Sequence, residues 1–211
     1  MANPCCTRYV FFTNNEDKSE LLRLHNRISS IMQVTPNVGK GFDPGCLGEV
    51  AKTHGIDLNK IPCRGYIEII HDYEPDNNFI SFETITDWCP MTELWEAVAA
   101  KYNDISFVYR AEEAGCDIFV NTDTSGIYIP ERYLFEINGN MTIPEGWYPN
   151  QKKPEYVEIH EYFNDFDALN AYCAKITGIT FDGFEPMKSY FDDILDGVEN
   201  TVHGLHEFTT E

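Results

Sequence analysis

The sequence predicts an α+β fold, because β-rich runs and amphipathic helical segments follow one another along the chain. Three observations support this prediction: a β-rich run at residues 7–13, helical periodicity directly after it, and two further β-rich runs at residues 66–71 and 79–86. Of the 211 residues, 43% are hydrophobic and 14% are aromatic. This composition is sufficient for a packed core.

The first predicted helix follows the opening strand. Asp17 and Glu20 have the spacing of a capping box, and apolar residues then recur at helical spacing up to Met32. The next stretch is rich in Gly, Pro and Asn. We interpret residues 34–64 as a loop-rich insertion that contains one short helix, at residues 47–53.

The second long helix is expected to open at Pro90, and the strand at residues 105–109 follows it. The element order is then βαββαβ, which is the split βαβ order of ferredoxin-like folds, with two helices on one face of a mainly antiparallel sheet. Two more β-rich runs, at residues 116–120 and 133–137, are expected to add strands to this sheet.

The last part of the chain is predicted to be an appendage. The expected elements are a loop at residues 138–154, a short strand at 157–159, a helix at 166–177 ended by Gly178, and a last helix at 186–195. We therefore divide the chain into a ferredoxin-like core, residues 1–154, and an acidic, mainly helical extension packed on it, residues 155–211. His203 and His206 then fall in a solvated tail.

The chain is strongly acidic, with 35 Asp or Glu, 15 Lys or Arg and a formal net charge of -20. Residues 155–211 hold 13 acidic residues against Lys175 and Lys188, a net charge of -11. Such a surface repels phosphate backbones and anionic lipids, so direct binding to nucleic acid or membranes is not expected. Two interpretations stay open: a solvated surface that maintains solubility, and a docking surface for a basic protein.

Cysteine usage and hydropathy indicate a cytoplasmic protein. The seven cysteines are odd in number and widely spaced, which is typical of reduced thiols. No apolar run reaches signal-peptide length at the start of the sequence or the ~20 residues of a membrane span elsewhere. Paired cysteines with metal-site spacing and phosphate-binding glycine motifs are absent, so we predict no cofactor and no metal.

Three segments carry a family resemblance. They are Met1-Ala2-Asn3-Pro4-Cys5, the stretch from Phe82 to Pro90, and the stretch from Lys101 to Phe107 with Tyr109, Glu112 and Gly115 after it. Within residues 1–126 the chain thereby resembles the YubB-like domains of bacterial plasmids and phages. Pro4 replaces that family's Trp, and Cys89-Pro90 replaces its Ser-Pro-Pro. The resemblance implies a ferredoxin-like fold and a mobile-element or gut-bacterial setting, but no catalytic residues.

Cys89 is the most suggestive single residue for chemistry. It directly precedes Pro90 at a predicted helix start, where free N–H groups and the helix dipole favour a thiolate. A nucleophilic thiol also needs a base, and His71 on a neighbouring predicted strand is the candidate. The competing interpretation is that Cys89 is a buried small side chain that packs in the core.

Two functions follow from these observations. The first is a non-catalytic acidic interaction domain that docks a basic protein, such as a nucleic-acid-binding protein, with DNA mimicry as its strongest form. The alternative is a small thiol-dependent hydrolase or transferase that uses Cys89.

Overall fold

The computed structural model of the chain describes residues 3–33, 46–142, 147, 154–196, 198 and 201–210. These residues form an α+β structure with five α-helices and two antiparallel sheets, of five and three strands. The chain divides into two compact units, Met1–Thr124 (the first unit) and Ser125–Thr210 (the second unit). The division therefore falls earlier in the chain than the boundary after residue 154 that the sequence predicts. Residues 34–45 of the predicted insertion lie outside the described residues.

The first unit contains most of the elements that the sequence predicts. They are β1 (Pro4–Phe12), α1 (Ser19–Met32), α2 (Leu47–Thr53), β2 (Tyr66–Ile70), β3 (Phe79–Asp87), α3 (Thr92–Ala99), β4 (Ser106–Glu113) and β5 (Ile118–Asn121). A single 3-10 turn, Ala114–Cys116, connects β4 to β5. The predicted short helix α2 is confirmed. Several boundaries differ from the prediction. β1 begins at Pro4 rather than residue 7, α3 begins two residues after Pro90, and β4 continues beyond Tyr109 to Glu113. β5 covers Ile118–Asn121 rather than residues 116–120.

The first sheet has the strand order β2-β3-β1-β4-β5, and every neighbouring pair is antiparallel. β3 lies between β1 and β2, and β1 lies between β3 and β4, so each helix-containing connection passes over one intervening strand. The register places Tyr9 of β1 opposite both Phe82 of β3 and Tyr109 of β4. β1 is thus the central strand that fixes both neighbours.

The core of the first unit lies between this sheet and its helices. Alternate residues of β1, including the fully buried Tyr9 and Phe11, point toward the helical layer, as the two-residue period of a strand requires. The Trp95 ring of α3 lies 4.7 Å from the Phe82 ring and 5.3 Å from the Tyr9 ring. α1 contributes a buried stripe at helical spacing: Leu21, Leu24, Ile28 and Ile31. Each such side chain contributes about 1.5–3 kcal/mol through burial.

The second unit has its own sheet and its own core. Its elements are β6 (Tyr133–Thr142), β7 (Pro154–Phe163), α4 (Phe166–Thr177), α5 (Phe184–Leu195) and β8 (Thr201–Glu207). The strand order is β7-β6-β8, and both pairs are antiparallel. The two helices cover one face, where the Phe135 ring of β6 lies 4.8 Å from the Phe191 ring of α5 and both are buried.

Three sequence predictions for this region are wrong. The strand at 133–137 does not extend the first sheet, because β6 is the centre of the second sheet. The predicted loop at 138–154 begins later, since β6 continues to Thr142, and β7 already starts at Pro154. The segment from 155 onward is not mainly helical, because β7 and β8 occupy it together with α4 and α5. The sequence does not predict β8, because Gly204 and two histidines interrupt the alternation of apolar residues along it.

The helices in the part of the chain that the structure describes are all too short or too polar to cross a lipid bilayer.

A buried histidine connects α2 by hydrogen bonds to the residues that follow α3. His54 is 7% exposed, and its Nδ1 lies 2.8 Å from the Val50 carbonyl oxygen while its Nε2 lies 2.9 Å from the Tyr102 hydroxyl. The carbonyl can only accept, so Nδ1 carries the proton and Nε2 accepts from the hydroxyl. Burial lowers the pKa of His54, and the nearby Arg27, Arg23 and Lys101 lower it further. The ring is therefore neutral.

We expect acidification to reduce the free energy of unfolding through His54. The folded-state pKa lies below 6.5, so the unfolded chain binds the proton first and stability falls as the pH drops through 6.5. Urea denaturation at about pH 7.5 and about pH 5.5 measures this, and His54→Gln should lose that share of the pH dependence. Equal pH dependence in both proteins would contradict the assignment.

Candidate functional site

Cys89 lies in an exposed turn directly after β3. Trp88 adopts a left-handed conformation with φ of 74°, and the Cys89 carbonyl accepts a 2.7 Å hydrogen bond from the Thr86 hydroxyl. The thiol is exposed, so the interpretation of Cys89 as a buried packing residue is wrong. Because α3 begins at Thr92, Cys89 also lies outside the first helical turn.

His71 is remote from Cys89. Its backbone N–H donates to the Ser81 carbonyl, whereas Cys89 follows the far end of β3 at Asp87. Six residues of strand between Ser81 and Asp87 span about 20 Å. The imidazole instead pairs with Glu83, at 3.2 Å between Nε2 and Oε1. The structure therefore does not bring the predicted nucleophile and base together.

An open cavity of about 400 Å³ lies beside Cys89. Its polar lining includes Arg64, Thr92 and Glu93, and none of the described residues that line it is a histidine. Met91, at the N-cap of α3, provides no side-chain hydrogen bond to the helix N–H groups. The cavity thus offers an accessible thiol, one cation and one carboxylate, but no imidazole base for the thiol.

A second exposed thiol, Cys116, lies at the same end of the sheet and was not singled out by sequence reasoning. It ends the 3-10 turn after β4, where the Glu113 carboxylate is 2% exposed and accepts a 2.9 Å hydrogen bond from the Gly115 N–H. Hydrogen bonding with Glu113 raises the pKa of the Cys116 thiol, and the same contact lowers the pKa of Glu113. Cys116 therefore stays protonated beside a buried carboxylate.

The outer side of α4 and α5 is acidic; we call it the acidic layer. Its carboxylates are Asp165, Asp167, Glu185, Asp192, Asp193 and Asp196, and its lysines are Lys175 and Lys188. Asp165 also caps α4 by accepting a 2.8 Å hydrogen bond from the Ala168 N–H. Among the described residues, the ion pairing of this layer is limited to His203 Nε2, 3.7 Å from Asp192 Oδ1. Most of its charge therefore faces solvent without a neutralising partner in the part of the chain that the structure describes.

The other face of the second sheet holds a carboxylate between two histidines. Glu136 of β6 lies 3.5 Å from His160 Nδ1 of β7 and 3.6 Å from His206 Nε2 of β8. Hydrogen bonding with His160 and then with His206 lowers the pKa of Glu136 to about 2. Gly204 lies opposite Glu136, and a side chain there would collide with the His206 ring. The absence of a side chain at Gly204 therefore leaves the space that the His206 ring occupies beside the carboxylate.

The sequence prediction of a solvated tail missed this cluster. His206 is positioned by β8, and the side chains of His203 and His206 are only 20% and 18% exposed. The two histidines, spaced three residues apart, were the only indication in this segment of the sequence, because its apolar alternation is interrupted. Glu199, which the sequence places near these histidines, lies outside the described residues.

Within the described ranges, no group of three or more His, Cys, Asp or Glu side chains could hold a metal ion. Comparison with known proteins adds no relative. No protein-family model matches the chain, and searches of curated proteins and of solved structures return no significant match. The function is therefore argued from the geometry alone.

We expect iodoacetamide to alkylate Cys89 in the native protein, because its thiol is exposed. His71→Ala should leave the alkylation rate unchanged, since the imidazole pairs with Glu83 of β3 and does not line the cavity beside Cys89. Mass spectrometry of the labelled peptides measures the rate at Cys89, and Cys89→Ser confirms the assignment. A drop of about tenfold or more in the His71 variant would instead identify His71 as the base.

We expect Glu136→Gln to lower the free energy of unfolding by about 0.5–1.5 kcal/mol near neutral pH, because the carboxylate loses its contacts with the His160 and His206 rings. Its folded-state pKa of about 2 lies below 4.5, so the contribution is present above pH 4.5 and disappears as the pH falls toward 2. Urea denaturation across this range should show the two proteins converging. A constant difference would contradict the pairing.

Gly204→Ala tests the same cluster from the other side. The new methyl group displaces the His206 ring, so this variant should also lose stability above pH 4.5. Gly48→Ala is the matched control, because a methyl group there meets only Cys46 Sγ at an ordinary 3.6 Å.

Proposed function

We propose that this chain is a non-catalytic interaction protein whose acidic layer docks a basic protein partner. The supporting observation is the arrangement of charge on α4 and α5: six carboxylates and two lysines lie on the outer side of two adjacent packed helices. A rigid layer of like charge attracts a complementary basic surface over a Debye length and accelerates association.

The helices carry this charge without loss of stability to the core. Leu169 and Cys173 of α4, with Met187 and Phe191 of α5, face the second sheet and are buried, so the carboxylates occupy only the opposite side of each helix. Asp165 at the N-cap and Asp167 in the first turn of α4 also lie where the helix dipole stabilises negative charge. The layer is therefore compatible with folding and remains available for a partner.

A basic protein fits this surface better than nucleic acid does. With a formal net charge of -20, the chain repels phosphate groups, and binding to DNA or RNA depends on neutralising them. A protein that binds nucleic acid presents Lys and Arg at the spacing of phosphates, so an acidic layer of fixed geometry can occupy the same surface. Competition with DNA for such a protein is the strongest form of this proposal.

We also propose a ferredoxin-like fold for the first unit and a relationship to the YubB-like domains of mobile elements. The strand order β2-β3-β1-β4 and the helices α1 and α3 in the two crossovers support the fold assignment. β5 adds a fifth strand at the edge beside β4. A cytoplasmic location is in keeping with seven free thiols.

The alternative, a thiol-dependent hydrolase or transferase, is supported by one observation. Cys89 is exposed and lines the cavity that also contains Arg64. His71, however, pairs with Glu83 at a remote point of the sheet, and the cavity lining offers no other imidazole. We favour the interaction function because its surface is complete, whereas the thiol site lacks its base.

Affinity capture from a lysate of the source organism tests the proposal. We expect a basic protein to bind at about 0.1 M salt and to be released at about 0.5 M, because the Debye length shortens and screens the layer. The matched variant neutralises five carboxylates by Asp→Asn or Glu→Gln: Asp167, Glu185, Asp192, Asp193 and Asp196. It should lose the partner while remaining folded by circular dichroism.

The control variant removes the same number of charges elsewhere. It neutralises five exposed carboxylates of the first unit: Glu16, Asp72, Glu74, Asp76 and Glu96. This protein should retain the partner. Equal loss from both variants would indicate a response to net charge alone, and salt-insensitive capture would exclude the acidic layer as the docking surface.

A further inference from the structure

Strand β7 forms one edge of the second sheet over 10 residues. In the part of the chain that the structure describes, β6 is the only strand that pairs with it. The other edge strand, β8, has 7 residues and contains Gly204 in its interior. β7 therefore offers the longer stretch of backbone for pairing with a further strand.

The backbone groups of β7 alternate between its two sides. The Phe163 carbonyl accepts a 2.7 Å hydrogen bond from the N–H of Arg132, directly before β6, so the backbone of Phe163 faces β6. Alternate residues of a strand direct their N–H and C=O groups to the same side. Those of Tyr156 and Glu158 consequently point away from β6, toward the edge of the sheet.

Apolar side chains at this edge are partly exposed. Val157 and Ile159 pack against the core of the second unit but are only half-buried, and Tyr156 on the opposite face is 56% exposed. A strand added beside β7 would cover all three, because side chains of neighbouring strands pack against each other across a sheet.

The charge of β7 selects the chemistry of such a strand. β7 contains three glutamates, one histidine and no lysine or arginine. Glu158 and Glu161 are exposed, and one lies on each face of the sheet because side chains alternate along a strand. Lys or Arg opposite each of them would form favourable cross-strand pairs.

This edge is continuous with the acidic layer. The Phe163 ring lies 5.1 Å from the Tyr172 ring of α4, and Asp165, the N-cap of α4, lies two residues after the end of β7. Glu161 shares its face of the sheet with Phe163. A basic protein attracted to α4 would therefore meet the edge of β7 beside it.

A second copy of this chain fits the edge less well. Pairing of two copies through β7 would bring together two strands with three glutamates each, on two chains with a formal net charge of -20 each. Repulsion between like charges opposes such pairing.

We infer that β7 receives an extended basic segment of the partner as a fourth strand of the second sheet. This inference rests on the proposed function, because the segment belongs to the basic protein that the acidic layer docks. The segment presents apolar residues opposite Val157 and Ile159, and Lys or Arg opposite Glu158 and Glu161. Backbone hydrogen bonds supply the affinity, and the charged pairs supply the preference for a basic sequence.

Calorimetric titration of the full chain with the peptide Thr-Lys-Thr-Val-Lys-Val-Thr tests the inference. When the peptide lies antiparallel to residues 156–162, its lysines lie opposite Glu161 and Glu158, and its valines lie opposite Ile159 and Val157. We expect N-methylation of its third and fifth residues, whose N–H groups face β7, to weaken binding by about tenfold, because two backbone hydrogen bonds are lost. N-methylation of the second and fourth residues, whose N–H groups face away, is the matched control and should leave binding unchanged.

Variants of the chain test the same contact from the other side. Glu158→Pro removes an N–H that points to the edge, a position at which an edge strand tolerates proline, and should weaken peptide binding by about tenfold. Glu158→Lys retains the backbone, reverses one charge and should also weaken binding. Glu96→Lys, at an exposed carboxylate of the first unit, is the control and should bind as the wild type does. Circular dichroism confirms that each variant is folded.

The inference is overturned if the wild-type chain does not bind the peptide at about 1 mM, or if methylation of the third and fifth residues leaves binding unchanged. A dimer that sedimentation detects and Glu158→Pro dissociates would overturn it in favour of a second copy. Affinity capture separates this inference from the proposed function. Loss of the captured protein from the five-carboxylate variant, but not from Glu158→Pro, would support the acidic layer and overturn the strand pairing, whereas retention by the five-carboxylate variant would overturn the proposed function.

Discussion

The pairing of β1 with both β3 and β4 is the constraint on which the first unit depends. Because Tyr9 lies opposite Phe82 and Tyr109, one strand fixes the register of its two neighbours, and a slip of one residue would turn every buried aromatic ring toward the wrong face. Trp95 of α3 then packs against the rings of Tyr9 and Phe82.

The second unit separates two kinds of charge on its two sides. Its helices present carboxylates to solvent, while the opposite face of the sheet holds Glu136 between two histidines. The first arrangement leaves charge uncompensated, which is useful for recognition at long range but contributes little to folding. The second arrangement surrounds a carboxylate that is 23% exposed with two imidazole rings, so it contributes to stability and depends on Gly204 for its geometry.

Local patterns in the sequence were sufficient for most of the first unit. Helical spacing from Leu21 and the β-rich runs at β1, β2 and β3 predicted elements that the structure contains. Partner choice between strands was beyond such reasoning, because propensity indicates that residues 133–137 form a strand but not which sheet they join. β8 was not predicted for a related reason. Its interior Gly204 weakens the strand pattern, and its position is fixed by pairing with β6.

The candidate site shows the same limit. Exposure of Cys89 depends on the turn at Trp88, and its distance from His71 depends on how far β3 extends, neither of which spacing in the sequence determines. The sequence did not indicate Cys116 as a site residue, because its neighbour Glu113 becomes a buried carboxylate only when β4 pairs with β1. The acidic excess, by contrast, was visible in composition, and the structure assigns part of it to α4 and α5.

The position of β8 in the strand order has a consequence for the order in which the chain folds during synthesis. Every strand of the first sheet lies before Thr124, so that unit can complete its pairing while later residues are still being translated. The second sheet cannot, because β6 is its centre and one partner, Thr201–Glu207, is the last strand of the chain. Until that strand emerges, β6 has an unpaired edge that is open to pairing with another chain.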